Sequence, residues 1–328
     1  MMTQVLAVML AAPAQAVTPF VENLRKAEAL SASDAERVEF ASRAVRSWLP
    51  ADGRPLLAHA HFMRAEGEME LFDDPHAEED LSKTLEIDPA NLRALILRAQ
   101  ARTALGRGAE GERDGLEYIA ARPDDAEGWL ALADARLAQG APKADRDARA
   151  AFAKAAALLG PEDPRPSLGE GRSHLLMRRH GQALAALSAA AENPKNRRAE
   201  ILAWRSRAYS AIGNWGAARE DLTAAIPGLE RVLEDRNRIG AVKRGRDGAR
   251  GQLADAYFRR GLANEALNSR EDALTDHRQA CQLGLAAACA RVTSLEKPAP
   301  KPAVVVKPPK PKRRKNPKGD AGERIYAN

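Results

Sequence analysis

Proline recurs at residues 89 and 123, and alanine at 65, 99 and 133, so one spacing of 34 residues marks three successive stretches of the chain. A fixed period of that length is the strongest constraint in the sequence. Each repeat is a single supersecondary unit that cannot bury its apolar face alone, so neighbouring units must stack and share a core. His59 to Pro89, Arg93 to Pro123 and Glu127 onward each begin with a helix-compatible run and reach a small residue near its middle. Each then breaks and runs on as a second helix. The breaks are Asp73-Asp74-Pro75, Gly106 and Gly140, residue types that end helices. Ala65 and Ala77, Ala99 and Gly111, and Ala133 and Ala148 fall where the two helices of a hairpin cross. Small side chains there let the backbones approach while larger apolar ones fill the flanking holes.

Composition excludes the main competitors. Only 4% of the 328 residues are aromatic, which with few Val and Ile argues against an all-β fold. Two cysteines cannot build a disulfide scaffold or a four-thiolate zinc site. No stretch approaches the roughly 20 apolar residues of a membrane-spanning helix. The expected fold is all-α, a right-handed superhelical solenoid of antiparallel helical hairpins over residues 58–296, preceded by a helical cap or degenerate repeat at 17–57. Residues 20–49 read as two amphipathic helices, the second starting at Ser31-Ala32-Ser33-Asp34.

The best single unit is Leu202, Ser206, Tyr209, Gly213, Trp215, Ala218, Leu222 and Ala225, with Trp129, Leu132, Ala133 and Gly140 marking the first helix of another. In this spacing of large, small, aromatic and glycine positions the chain resembles the tetratricopeptide repeat (TPR) family, over five to six units. Its last unit, with Tyr257, Arg260-Gly261, Ala273, Ala280, Leu283-Gly284 and two cysteines eight apart, is similar to the Sel1-like repeat. That likeness implies a Cys281–Cys289 disulfide across adjoining helices, a bond that persists only in an oxidising compartment. Two buried thiols are the alternative. Three stretches depart from the period. The unit at Glu127 has about four extra residues near Lys143–Arg149, and the unit at Ser173–Pro194 is about three short. Residues 227–251 are charged and Gly-interrupted, and read as a long second helix followed by a loop.

The TPR likeness implies that the first helix of each unit lines a concave groove where a protein or peptide partner lies. Carried over position by position, the groove residues are His59 and Phe62, Arg93 and Gln100, Glu127 and Asp134, Arg172 and Arg178, Trp204 and Arg207, and Phe258 and Arg259. Arg172, Arg178, Arg207 and Arg259 are expected to form a basic stripe able to clamp carboxylates, with Trp204 as an aromatic anchor. The alternative for each is an ordinary exposed helix position.

Chemistry is not expected. The chain has no HExxH, GxxxxGK[ST], GxSxG or CxxC motif, and no two of its six histidines stand four apart to chelate a metal from one helix face. No catalytic residue, metal, cofactor or small-molecule substrate is therefore assigned.

The two ends carry other expectations. At the N-terminus an apolar run from Val5 to Ala12 precedes Ala14-Gln15-Ala16, which resembles a signal peptide covering residues 1–16, although no Lys or Arg precedes the run. From Lys297 to Asn328 ten basic and two acidic residues give +8, leaving the body near −2 out of the chain's +6. Seven prolines in that segment predict an extended, disordered tail (297–328). Its cluster Lys310, Lys312, Arg313, Arg314 and Lys315 suits an anionic polymer or membrane surface. The expected function is a non-enzymatic protein-binding scaffold, extracytoplasmic in a bacterium. The alternative is an intracellular adaptor, cytoplasmic or nuclear, whose basic tail contacts nucleic acid or directs nuclear import.

Overall fold

The computed structural model describes residues 17–29, 32–192 and 198–297; the signal-peptide expectation at 1–16 and all of the basic tail beyond Lys297 lie outside them. Among the described residues there are fifteen α-helices and no strand. After a hairpin of α1 (Pro19–Glu28) and α2 (Asp34–Ser47), six further hairpins follow in chain order. They are α3 (Arg54–Glu70) with α4 (Asp74–Ile87), α5 (Leu92–Ala104) with α6 (Gly108–Ala121), and α7 (Ala126–Ala138) with α8 (Pro142–Leu159). Then come α9 (Arg165–Leu176) with α10 (His180–Glu192), α11 (Arg198–Ala211) with α12 (Trp215–Arg238), and α13 (Lys243–Ala266) with α14 (Arg270–Gln282). Helix α15 (Ala286–Glu296) closes the stack.

Each helix packs on its sequence neighbours, and the first helices α5, α7, α9 and α11 also touch in succession, so they form the inner layer of a right-handed superhelix. The core is correspondingly a chain of small clusters. Phe62, Ala65, Ala77, Leu81, Ala94 and Leu97 join α3, α4 and α5, and Leu168, Ala183, Leu187, Ala190, Ile201 and Ala208 do the same for α9, α10 and α11. The crossing positions are closed to solvent: Ala65, Ala77, Ala99, Ala133 and Ala148 are fully buried. At Gly111 a Cβ would stand 2.9 Å from the Ala99 carbonyl oxygen, so the backbones meet more closely there than alanine allows.

Helix starts follow local chemistry. Ser33 caps α2 in a reciprocal capping box with Glu36. Within the hairpins, the turn between the helices needs one residue with left-handed backbone. Gly106, Gly140 and Gly213 supply it in three units, whereas Phe72, Arg178 and Asn268 adopt it in the other three. Glycine carries no Cβ penalty in that conformation, and a bulky residue such as phenylalanine does.

Two departures from the period are resolved. The extra residues near Lys143 lengthen α8 to 18 residues. The 227–251 stretch, read from sequence as a long second helix followed by a loop, holds the long helix, but the loop is only a short turn before a further helix. Helix α12 runs through Pro227 to Arg238, and after a short turn α13 starts at Lys243, each helix being 24 residues long. Of the glycines that suggested a loop, Gly245 sits at a tight packing contact, flush against the Phe72 ring, while a Cβ at Gly251 would meet open space. The two helices together form an arm that extends past the rest of its hairpin.

Candidate partner-binding surface

A feature that sequence reasoning did not identify repeats within the hairpins. Arg64 and Asp80, Arg98 and Asp114, Arg205 and Asp221, and Arg260 and Asp276 are each 16 residues apart and joined through two guanidinium nitrogens. Each arginine stands on a first helix and each aspartate, nearly buried, on the second. Two-pronged geometry of this kind fixes the angle between two planar groups, and so fixes the rotation of one helix against the other. Burial works against ionisation of Asp80, but hydrogen bonds from Arg64 and His61 outweigh it and hold its carboxyl below the usual carboxylate value. A shared 34-residue offset of Arg64 to Arg98 and of Asp80 to Asp114 was the available signal.

These clamps fix the first helices, and the concave face they present is charged along its later half. Asp134 on α7 accepts from Arg172 on α9 at 3.4 Å. The Arg172 guanidinium lies 5.5 Å from the centre of the Trp204 ring on α11, and Arg207 lies 4.2 Å from the same ring. Arg207 then donates to Asp255 on α13 at 2.7 Å, and Arg259 donates to the same carboxylate oxygen at 2.7 Å. The result is one row, Asp134, Arg172, Trp204, Arg207, Asp255 and Arg259, crossing four successive first helices. Burial raises the cost of ionising Asp255, but the charges and hydrogen bonds of Arg259 and Arg207 prevail and hold its carboxyl low. The side chains of Arg207 and Asp255 remain 33% and 31% exposed. Ion pairs at such exposure are worth only about 1 kcal/mol or less, so they exchange partners readily.

The other sequence-assigned groove residues divide. Gln100 is half-buried on α5. Arg93 is exposed and lies 3.8 Å from Glu66, and Glu127 accepts from Arg165 at 2.7 Å. His59 is tied to Glu28 of α1 at 2.7 Å. Three residues stand away from the surface expected of them. Phe62 is 7% exposed and part of the core between α3, α4 and α5. Arg178 lies beyond the end of α9, in the left-handed turn position, so it does not extend the arginine row. Phe258 is half-buried, its ring 5.3 Å from that of fully buried His277 on α14. At the end of the stack a disulfide joins Cys281 in α14 to Cys289 in α15.

A cleft of about 420 Å³ between α4, α5 and α6 is lined by Leu85, Glu86, Leu95, Arg98, Arg102 and Glu117. Its two arginines are both engaged by Asp114, so their charge is already satisfied.

No protein-family model matches the chain, and no curated protein matches it. Solved structures do. A tetratricopeptide repeat protein from Parabacteroides merdae is 16% identical over 85% of this chain and 99% of its own, with a TM-score of 0.60. PilW, a type IV pilus biogenesis factor, is 17% identical over 72% of this chain and 98% of its own, with a TM-score of 0.54. PilF of Pseudomonas aeruginosa is 17% identical over 75% and 100%, with a TM-score of 0.52. The fold is that of tetratricopeptide solenoids.

Proposed function

We propose that this chain is a non-enzymatic scaffold that holds a protein partner, through an acidic segment, on its concave face. The observation that carries the reading is the continuous row from Asp134 to Arg259, in which one half-buried tryptophan lies 5.5 and 4.2 Å from two guanidiniums. Tryptophan and arginine dominate binding hot spots because they combine large contact area with directional polar groups. Three arginines against two aspartates leave the row net positive, which favours a carboxylate-bearing partner. His59 on α3, Arg93 and Gln100 on α5 and Glu127 on α7 would extend the same face. That a type IV pilus biogenesis factor has this scaffold accords with a role in assembling other proteins.

The proposed location is extracytoplasmic, in the envelope of a bacterium. The Cys281–Cys289 bond supports it, because such bonds are reduced in most cytoplasms, and so does the signal-like N-terminal segment. No helix among the described residues is long and apolar enough to cross a membrane. Residues 17–57 would then cap the solenoid, and the basic tail would meet an anionic polymer or lipid surface.

Selection of a displayed random-peptide library on the full chain and on a Trp204→Ala/Arg207→Ala variant tests the binding reading. Acidic peptides are expected on the wild type and absent from the variant; the same peptides enriched equally on both would refute it. Intact mass under non-reducing conditions tests the location. Expression in a bacterial host should give a product starting at Val17 and lighter by two hydrogens. An uncut chain with two free thiols would favour the intracellular adaptor.

A further inference from the structure

The arm of α12 and α13 does not end in solvent. Its tip returns across 170 residues of sequence to the hairpins of α3/α4 and α5/α6. Val242 donates its backbone N–H to the Leu71 carbonyl at 2.9 Å. Arg244 pairs with Asp74 at the start of α4 and also donates to the Ala104 carbonyl at the end of α5. Gly245 lies flush on Phe72, where a Cβ would stand 2.5 Å from the phenylalanine Cβ. The Arg236 guanidinium covers the same ring at 4.0 Å and donates to the Gly245 carbonyl at 2.7 Å. The solenoid is thereby closed into a ring through units one to five and the arm.

The contact is built to be weak. It contains one backbone hydrogen bond, one partly exposed ion pair, one arginine donation to the Ala104 carbonyl and one ring face, against the apolar clusters that join neighbouring hairpins. Phe72 holds a left-handed backbone that its side chain disfavours. Arg236 is half-buried with no carboxylate partner among the described residues, and burial lowers its affinity for a proton. Helix α13 connects this contact to the groove. Arg244 stands at its first turn, and Asp255, which occupies Arg207 and Arg259, stands about 16 Å further along the same helix.

We propose that the arm tip is a reversible clasp, and that it is coupled through α13 to the groove, so that closure holds Asp255 where a partner's carboxylate must go. The clasp stands on its own contacts; its gating of the groove rests on the binding reading given above. A partner that displaces Asp255 from Arg207 draws α13 away from α11 and loosens the clasp. By reciprocity, loosening the clasp favours the partner.

Spin labels on an Ala109→Cys/Asn237→Cys chain, with Cys281–Cys289 left bonded, report the gap between α6 and the arm tip by double electron–electron resonance. The wild-type clasp is expected to give one narrow distance distribution. Gly245→Val, which wedges the Phe72 contact, and Arg244→Ala, which removes the ion pair without adding bulk, are each expected to add a longer-distance population while keeping the helical circular dichroism. An unchanged narrow distribution in Arg244→Ala overturns the clasp even if Gly245→Val fails to fold. A fluorescein-labelled deca-glutamate then probes the coupling. Affinity at least threefold tighter than wild type in Arg244→Ala, and in Asp255→Asn, is expected. Equal affinity in an opened chain overturns the coupling. Absence of binding by wild type and Asp255→Asn alike overturns the groove reading, while the distance measurement still decides the clasp.

Discussion

Replacement of Asp114 by alanine tests the claim that the Arg/Asp clamps fix the hairpins. Asp114 is 3% exposed and accepts four hydrogen bonds from three guanidinium nitrogens: Arg98 Nε and Nη2 at 2.9 Å each, and Arg102 Nη1 at 3.0 and 2.8 Å to its two oxygens. Removing the carboxylate leaves two neighbouring cations facing each other in a site they cannot leave without exposing the hairpin crossing. Breaking a buried pair from one side costs about 3–5 kcal/mol. The lower figure applies here, because the arginine side chains keep 17% and 15% exposure and Arg102 retains Glu78 at 3.0 Å. Glu110→Ala is the control. It removes a pair of similar length, Arg107 to Glu110 at 2.6 Å, on the solvated rim, where solvent screening leaves little net stabilisation to lose. Solenoids need not unfold in one step, so the assay is amide hydrogen exchange resolved by helix. In α5 and α6, Asp114→Ala should speed exchange by about 100-fold, from roughly 1.4 kcal/mol per factor of ten, and should leave α13 and α14 unchanged. The double replacement Arg98→Met/Asp114→Leu should recover most of the loss, since an apolar pair carries no desolvation cost. Equal effects of Asp114→Ala and Glu110→Ala would refute the reasoning.

Three further outcomes are expected. Burial, and then the nearby Asp80 charge, push the Glu68 carboxyl up to about 8 from an ordinary 4.5, and its Oε2 has no hydrogen-bond partner. The folded chain therefore keeps a proton that the unfolded chain loses between those values. That contribution is complete below about pH 4.5 and falls as pH rises toward 8, by up to about 1.4 kcal/mol per unit. Thermal midpoints at pH 5 and pH 8.5 should converge in Glu68→Gln relative to wild type; an unaltered difference would show that Glu68 is not the source. Reducing Cys281–Cys289, a bond across eight residues, should cost roughly 2.5 kcal/mol by loop-closure entropy. Faster exchange should appear only in α14 and α15, and spread to α9 would contradict the local role. Gly169→Ala would place a Cβ 2.2 Å from the fully packed Phe152 ring. A loss of about 1–3 kcal/mol is expected from overpacking, read as a lower urea midpoint; no shift would mean that α8 and α9 can separate freely.

The period was legible because each unit needs a small residue at its crossing, and Ala65, Ala99 and Ala133 repeat that need in plain sight. Trp204, Arg172, Arg207 and Arg259 were legible as one face because their first helices stack in order. Phe62 was misplaced because a groove-facing position and a core-facing position differ by less than one helical turn, and only the packing of α4 and α5 separates them. Arg178 gave no warning that α9 had ended, since an arginine there adopts the backbone that glycine marks in other units. The 227–251 stretch read as ending in a loop because four of its last nine residues, Gly245, Asp247, Gly248 and Gly251, have low helix propensity. Tertiary contact overrode it: the Gly245 contact with Phe72 exists only once the α3/α4 and α13/α14 hairpins are brought together. No spacing rule links residues 170 apart.

The central claim is that the partner lies on the concave face across Trp204. Fluorescence anisotropy of one acidic peptide taken from the library selection, titrated with wild type, Trp204→Ala and Glu220→Ala, tests it most directly. Glu220 is exposed on α12, the second helix of the hairpin that carries Trp204. The account predicts at least a 30-fold loss of affinity in Trp204→Ala, the effect of a hot spot worth about 2 kcal/mol, and no change in Glu220→Ala. Wild-type affinity in Trp204→Ala, or a loss only in Glu220→Ala, would place the partner elsewhere and contradict the account.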